Sequence, residues 1–147
     1  FLIQQLYKGS CFANPTVCGR IEFFRLHHYD VNYNGTEDHK LWILGFRGSN
    51  YSSIKHPLMY YRDPYVFKLK TYLGRLKTLR RMYRVFMVKD RANTFLLRKL
   101  IIMSYIKTII SYMLAKCHFD SIMISRRNNG YVAPEYKNLI YKILEKY

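Results

Sequence analysis

The most regular hydrophobic pattern in the chain lies between Val66 and Val88. On a helix of about 100° per residue, one side of this stretch is apolar and the adjacent side is cationic. The apolar side contains Leu69, Tyr72, Leu73, Leu76, Tyr83 and Met87, and the cationic side contains Lys70, Lys77, Arg81 and Arg84. No acid lies within the stretch, so these cations meet their anions in another molecule or stay in water. The pattern predicts a basic amphipathic helix.

Two further helices are predicted in the second half of the chain. The stretch from Phe95 to Lys116 is apolar on most sides, so we expect it to be the central core helix. Its polar stripe consists of Ser104, Lys107, Thr108 and Ser111. Pro134 opens a last amphipathic helix, and Glu135 beside it suits the positive end of the helix dipole.

The N-terminal part of the chain shows a different pattern. Arg20 to Tyr33 is rich in aromatic and bulky apolar residues, which is typical of an extended segment. Lys40 to Arg47 predicts a second strand, and Asn34-Gly35 between the two is a turn dipeptide. The sequence therefore predicts an α+β fold. Residues 1–64 would form a β-hairpin and loop region, and residues 65–147 a region of about three helices, within a single compact unit.

The charge balance indicates a polyanionic partner. The 147 residues include 25 Lys and Arg against nine Asp and Glu, a formal charge of +16. A free monomer with this excess repels itself, and nucleic acid or an anionic membrane surface would compensate it. Fifteen Tyr and nine Phe could supply stacking surfaces for bases.

The basic residues are concentrated between Arg62 and Lys99, where twelve Lys or Arg accompany two acids. Seven of the twelve are Arg, whose planar guanidinium can hold a phosphate through two hydrogen bonds. Small residues beside the basic positions at 47–50 and 126–130 would let the backbone approach a sugar-phosphate chain. The candidate RNA-binding residues are Arg47, Arg62, Lys68, Lys70, Arg75, Lys77, Arg80, Arg81, Arg84, Arg91, Arg126 and Arg127.

Metal binding and catalysis have weaker support. The soft ligands are Cys11, Cys18, His27, His28, His39, Cys117 and His118, and they lack the close pairs that are typical of structural zinc. Neither a phosphate-binding loop nor a GxSxG nucleophile motif is present. The local cluster of His27, His28 and Asp30 says nothing about geometry. We expect that the protein is not an enzyme and that it binds no metal, cofactor or small-molecule substrate. A small nuclease or RNA-modifying enzyme is a third hypothesis.

The choice of residues points to an A/T-rich genome. Ala, Gly and Pro are few, whereas Ile, Tyr, Phe, Asn and Lys are frequent. This bias is similar to that of proteins encoded by protist mitochondria, which are largely membrane subunits of respiratory complexes or ribosomal proteins.

Two short segments resemble ribosomal proteins. Lys89-Asp90, the run from Phe95 to Lys99, and Lys107 are similar to the opening helix of the fourteenth small-subunit ribosomal protein family. Gly9 with the tripeptide 14–16 resembles the opening of the third family. These resemblances indicate a class, mitochondrially encoded ribosomal proteins, and no particular family within it. The resemblance implies a small-subunit protein of the mitochondrial matrix whose partners are rRNA and neighbouring ribosomal proteins.

The alternative is an accessory subunit of an inner-membrane respiratory or ATP synthase complex. The helix from Phe95 to Lys116 would then lie in or beside the membrane, with basic residues on the lipid headgroups. We expect no transmembrane insertion, because Lys107 interrupts the most apolar stretch, Leu100 to Ala115, and a spanning helix needs about 20 mainly apolar residues.

Overall fold

A computed structural model of the chain describes residues 2–9, 12, 14–54, 67–117, 119, 134, 136–138 and 141. The helices in these ranges are α1 (Leu2–Lys8), α2 (Ile21–Leu26), α3 (Glu37–Gly45), α4 (Leu69–Lys89) and α5 (Thr94–Lys116). Three 3₁₀ turns occupy Asn14–Thr16, Val31–Tyr33 and Arg91–Asn93. The described residues contain no strand, so the predicted α+β fold is wrong and the described part of the chain is helical.

The predicted β-hairpin is replaced by α2 and α3. The segment expected to be extended, Arg20 to Tyr33, forms α2, a short irregular stretch and a 3₁₀ turn. The second predicted strand, Lys40 to Arg47, falls mostly within α3. Glu37 and Asp38, which lie between the two predicted strands, form part of the first turn of α3, where carboxylates suit the helix dipole. The turn at Asn34-Gly35 is confirmed, since Gly35 has a φ of 78°.

The hydrophobic core forms where α1, α3 and the C-terminal half of α4 meet. Its buried members are Leu6, Tyr7, Tyr33, Leu41, Trp42, Ile43, Met82, Tyr83, Phe86 and Leu97. Three consecutive residues of α3 are buried, which a one-sided helix cannot achieve, so α3 is enclosed on several sides. The core contains residues from both predicted regions, and the predicted boundary at 64 lies outside the described residues.

A polar network ties α1 to the junction of α4 and α5. The Tyr83 hydroxyl donates to the Tyr7 carbonyl over 2.9 Å, and the Tyr7 hydroxyl donates to the Asp90 carboxylate over 2.8 Å. Asp90 also accepts from the Asn93 amide, whose own oxygen accepts from Gln4. Burial raises the pKa of Tyr83 to about 12, so the hydroxyl keeps its proton and acts as a donor. These bonds fix the entry of the chain into α5.

The two long helices confirm their predictions, and α4 and α5 pack along each other. The expectation that α5 is the central core helix is wrong. Of its residues only Leu97, Ser104 and Ser111 are buried, and much of its apolar surface is exposed. Two residues of the polar stripe, Ser104 and Thr108, lie against α4, where they supply acceptors for an arginine of that helix.

The remaining predictions on the C-terminal part fall mostly outside the described residues. Of the last predicted helix, Pro134, residues 136–138 and Tyr141 are helical. Within the described ranges, none of the helices combines the length and the apolar composition that crossing a bilayer requires.

Candidate nucleic-acid interface

The cationic side predicted for α4 is present on the surface of the helix. Lys70, Lys77, Arg81 and Arg84 are all exposed, and we call these four residues the α4 cationic stripe. The helix buries Leu76, Met82, Tyr83 and Phe86. Met82 and Phe86 were missed by the sequence analysis, although their four-residue spacing is a second apolar row beside the first. Because α4 packs on both α5 and the core, its buried arc is wider than the predicted one, and the cationic stripe occupies part of what is left.

The stripe has no acidic counter-charge within the described ranges, where the ion pair recorded joins Lys40 to Asp30. In that pair the carboxylate compensates the lysine charge. The hydrogen bond from Lys40, together with those from Asn32, lowers the pKa of Asp30 to about 2. The start of α4 reinforces the positive field, since its first turn contains no acid and Lys68 precedes it. The stripe can therefore offer its charge to an external anion.

Neighbouring aromatic rings hold the two arginines of the stripe. The guanidinium carbon of Arg81 lies 5.3 Å from the ring centroid of Tyr33, and Arg84 donates to the Tyr105 hydroxyl over 2.9 Å. A guanidinium has five donor hydrogens in a planar fork, so each arginine keeps donors for a phosphate. Partial immobilisation lowers the entropy that is lost on binding.

Arg80 does not belong to the exposed surface, although the sequence placed it among the RNA-binding candidates. Its Nη1 donates to the Ser104 hydroxyl over 3.1 Å and to the Thr108 hydroxyl over 2.9 Å. Its guanidinium carbon also lies 4.4 Å from the ring centroid of Tyr105. We call this contact between α4 and α5 the polar seam. In it, neutral hydroxyl groups are the acceptors for a half-buried cation. Arg80 joins α4 to α5, and its Nη1 is already engaged there.

The other described candidates are scattered around the molecule. Arg75 is exposed, and its aliphatic carbons lie beside Gly35. Arg47 and Arg91 are exposed near the far end of α4. Burial there acts to raise the pKa of Asp90, but hydrogen bonds from Asn93 and Tyr7, with a smaller contribution from the charge of Arg47, hold that pKa below its ordinary value. The candidates Arg62, Arg126 and Arg127 lie outside the described residues.

The structure adds cations that the sequence analysis did not include among the candidates. Arg98, Lys99, Lys107 and Lys116 are exposed on α5. The sequence signal was available, since α5 contains four cations and no acid. Lys107 was interpreted as an interruption of the apolar stretch, and the helix as a whole was expected to be buried.

An open cleft of about 1460 Å³ lies beside α2 and is lined by aromatic side chains, among them Phe23, Trp42 and Tyr51. Phe23 and Trp42 stack with centroids 5.9 Å apart, and Phe12 meets Trp42 edge-on at 5.2 Å. These rings contact each other, which is the arrangement of core packing.

The described part of the chain brings together no group of three His, Cys, Asp or Glu side chains that could hold a metal ion. Cys18 and Cys117 are exposed free thiols, and His39 is buried with its Nε2 against the Leu6 carbonyl. His27 packs on the Phe23 ring at 4.9 Å, while Asp30 engages Lys40 and Asn32. Cys11 and His118 lie outside the described residues.

No protein-family model, curated protein or solved structure matches the chain.

Proposed function

We propose that the protein is a structural constituent of the small subunit of a mitochondrial ribosome, where it binds and stabilises folded rRNA through the α4 cationic stripe. One observation carries the proposal: four exposed cations follow one side of a 21-residue helix without an acid to neutralise them in the described ranges. Phosphate oxygens are the ligands that such a row of Lys and Arg suits.

The spacing of the stripe matches a nucleic-acid backbone in scale. From Lys70 to Arg84 the helix rises by about 21 Å at roughly 1.5 Å per residue. Several successive phosphates lie within that length of a duplex. A row of this kind provides affinity and orientation without reading sequence, which is what a structural rRNA-binding protein requires.

The mitochondrial assignment is supported by the residue bias, and the ribosomal assignment by the two local resemblances and the +16 charge. The proposed activity is binding without turnover.

Reversal of the stripe tests the proposal. The variant Lys70→Glu/Lys77→Glu/Arg81→Glu/Arg84→Glu is compared with Lys8→Glu/Arg20→Glu/Arg25→Glu/Lys89→Glu, which reverses four exposed cations elsewhere. Both change the net charge equally. Binding to a folded rRNA fragment is measured over a series of salt concentrations. We expect the stripe variant to lose roughly four units from the slope of log Kobs against log salt, at about 0.9 per lost phosphate contact, and the control to keep most of its slope.

Sedimentation of the native complex tests the location. The tagged full chain is followed on a gradient of mitochondrial lysate together with rRNA and respiratory-complex markers. We expect co-migration with the small subunit and release by ribonuclease. Equal slopes for the two variants would refute the role of the stripe, and co-migration with a respiratory complex after ribonuclease would refute the ribosomal assignment.

A further inference from the structure

The outer side of α5 is a continuous apolar surface. Phe95, Ile102, Ile106, Ile109 and Met113 recur at three-, four- and seven-residue steps, and we call them the α5 apolar face. Their exposed fractions are 83%, 60%, 43%, 61% and 61%. The face extends over about 27 Å of helix at roughly 1.5 Å per residue. Single exposed apolar side chains are normal on a protein, but a continuous row of this length marks a binding surface.

The other side of the helix is already occupied. Ser104 and Thr108 accept from Arg80, and Ser104 also donates to the Leu76 carbonyl. Rotating α5 to bury its apolar face would break these bonds and leave a half-buried guanidinium without acceptors. The apolar face is therefore held outward by the polar seam on the opposite side.

The charges near the face restrict what can cover it. The exposed cations of α5 are Arg98, Lys99, Lys107 and Lys116, and the helix contains no acid. Arg98 and Lys99 lie near the N-terminal end of the face, and Lys116 lies near its C-terminal end. A second copy of the chain would bring the same cations together on a protein of formal charge +16 and would be repelled.

A bilayer containing anionic lipid satisfies both properties of this surface. The apolar side chains enter the acyl boundary, and the long basic side chains reach the headgroups while their methylene groups stay in apolar surroundings. Tyr112, which is exposed on the flank of α5, has an apolar ring with a polar hydroxyl and suits the depth of the headgroups.

We propose that the α5 apolar face binds the surface of an anionic phospholipid bilayer, with α5 lying parallel to the membrane plane. The face belongs to a different helix from the α4 cationic stripe, so this inference does not rest on rRNA binding. If both hold, the protein connects an RNA particle to a membrane.

Vesicle binding by the full chain, in the absence of RNA, tests the proposal. The variant Ile102→Gln/Ile109→Gln/Met113→Gln is compared with Leu26→Gln/Val31→Gln/Ile54→Gln, which alters three apolar side chains that are at least as exposed elsewhere. The vesicles contain phosphatidylcholine with phosphatidylserine, or phosphatidylcholine alone. We expect the α5 variant to lose about a hundredfold in affinity for the anionic vesicles, because three apolar side chains no longer leave water. The control should bind like the unaltered protein, and all should bind pure phosphatidylcholine weakly.

Insertion is measured separately with a tryptophan reporter. Ile109→Trp places an indole in the face, whereas Thr71→Trp places one at an exposed position of α4, and the buried Trp42 is common to both. Lipids brominated on their acyl chains should quench the reporter at 109 and leave the reporter at 71 unchanged. Circular dichroism checks that each variant keeps its helices.

Two results would overturn the proposal. Equal vesicle affinity for the α5 variant and its control would show that binding is only a consequence of net charge. Absence of quenching at 109 would show that the face does not enter lipid and that a protein segment, from this chain or from a partner, covers it.

Discussion

The short helix α3 and the long helix α5 use their apolar residues in opposite ways. Of the nine residues of α3, five are buried, and they include a histidine and a glycine. Of the 23 residues of α5, three are buried, and two of those are serines. The difference follows from their neighbours, since α3 packs against α1, the turn before it and the aromatic rings of α2, whereas α5 has α4 along one side.

This contrast separates apolar residues that stabilise the fold from apolar residues that remain available to bind another molecule. Trp42 of α3 contacts Phe12, Phe23 and Phe24, so its hydrophobic surface is used within the molecule. The side chains of the α5 apolar face contribute little to the fold because they are exposed, whereas Leu97 of the same helix is buried in the core. A hydrophobic helix whose polar side faces inward is expected where the outer side meets another component.

Truncation of one large side chain in each helix gives the largest expected difference. Trp42→Ala opens a cavity in the core and should lower the free energy of unfolding by about 3–5 kcal/mol. Ile109→Ala removes a side chain from solvent and should change it by less than about 0.5 kcal/mol. Urea denaturation followed by circular dichroism measures both.

The control for this pair is the exposed residue Val31 outside α5, where Val31→Ala should behave like Ile109→Ala. If Ile109→Ala instead costs as much as Trp42→Ala, α5 is buried in the isolated protein and the contrast between the helices fails.

A second pair of variants separates structural from surface arginines on α4. Arg80→Gln removes a cation that donates to Ser104 and Thr108, and should cost about 1–3 kcal/mol of stability. Arg81→Gln should change stability by less than about 0.5 kcal/mol. It should reduce the salt slope of RNA binding by about 1, whereas Arg80→Gln should leave that slope unchanged. Denaturation and binding titrations on the same preparations measure the two effects. A loss of stability in Arg81→Gln, or a loss of salt slope in Arg80→Gln, would contradict the structural role of Arg80 between α4 and α5.

The smallest expected effect is an acid sensitivity that arises in α3. Burial lowers the pKa of His39, although the Leu6 carbonyl and Asp38 act in the opposite direction. The unfolded chain then binds a proton more readily than the folded chain. Stability is therefore fully present above the ordinary histidine pKa of about 6.5 and is lost as the pH falls through the lower folded value.

His39→Gln should remove this part of the pH dependence, because glutamine does not titrate and can still donate to the Leu6 carbonyl. Urea midpoints at two pH values on either side of about 6.5 measure it. His28→Gln is the control, since His28 is exposed. A pH dependence that persists in His39→Gln would assign the effect to other groups.

There are physical reasons why the sequence predicted α4 correctly and α3 incorrectly. The periodicity of α4 revealed its helix and its exposed cations, because an amphipathic pattern fixes both at once. The apolar run 41–46 suits a buried strand or a buried helix equally. Thr36, Glu37 and Asp38 just before it are typical of a helix start, but the sequence analysis did not use them.

The orientation of α5 could not be read from its own sequence. A helix that is apolar on most sides predicts burial, and only the partner helix determines which side is buried. The deciding residue was Arg80, whose need for acceptors draws the polar stripe of α5 inward. Within the candidate site, the sequence identified the exposed residues of the stripe and could not show that Arg80 is engaged.

The network around Asp90 has a consequence for the order of folding. Its bonds from Tyr7 and its link through Asn93 to Gln4 connect residues that are 83 and 89 positions apart in the chain. During synthesis α1 can meet α3 early, but it lacks these partners until the junction of α4 and α5 has emerged, and contacts this distant in sequence slow folding. Until then the α1 side chains that meet this junction are open to chaperones and to aggregation.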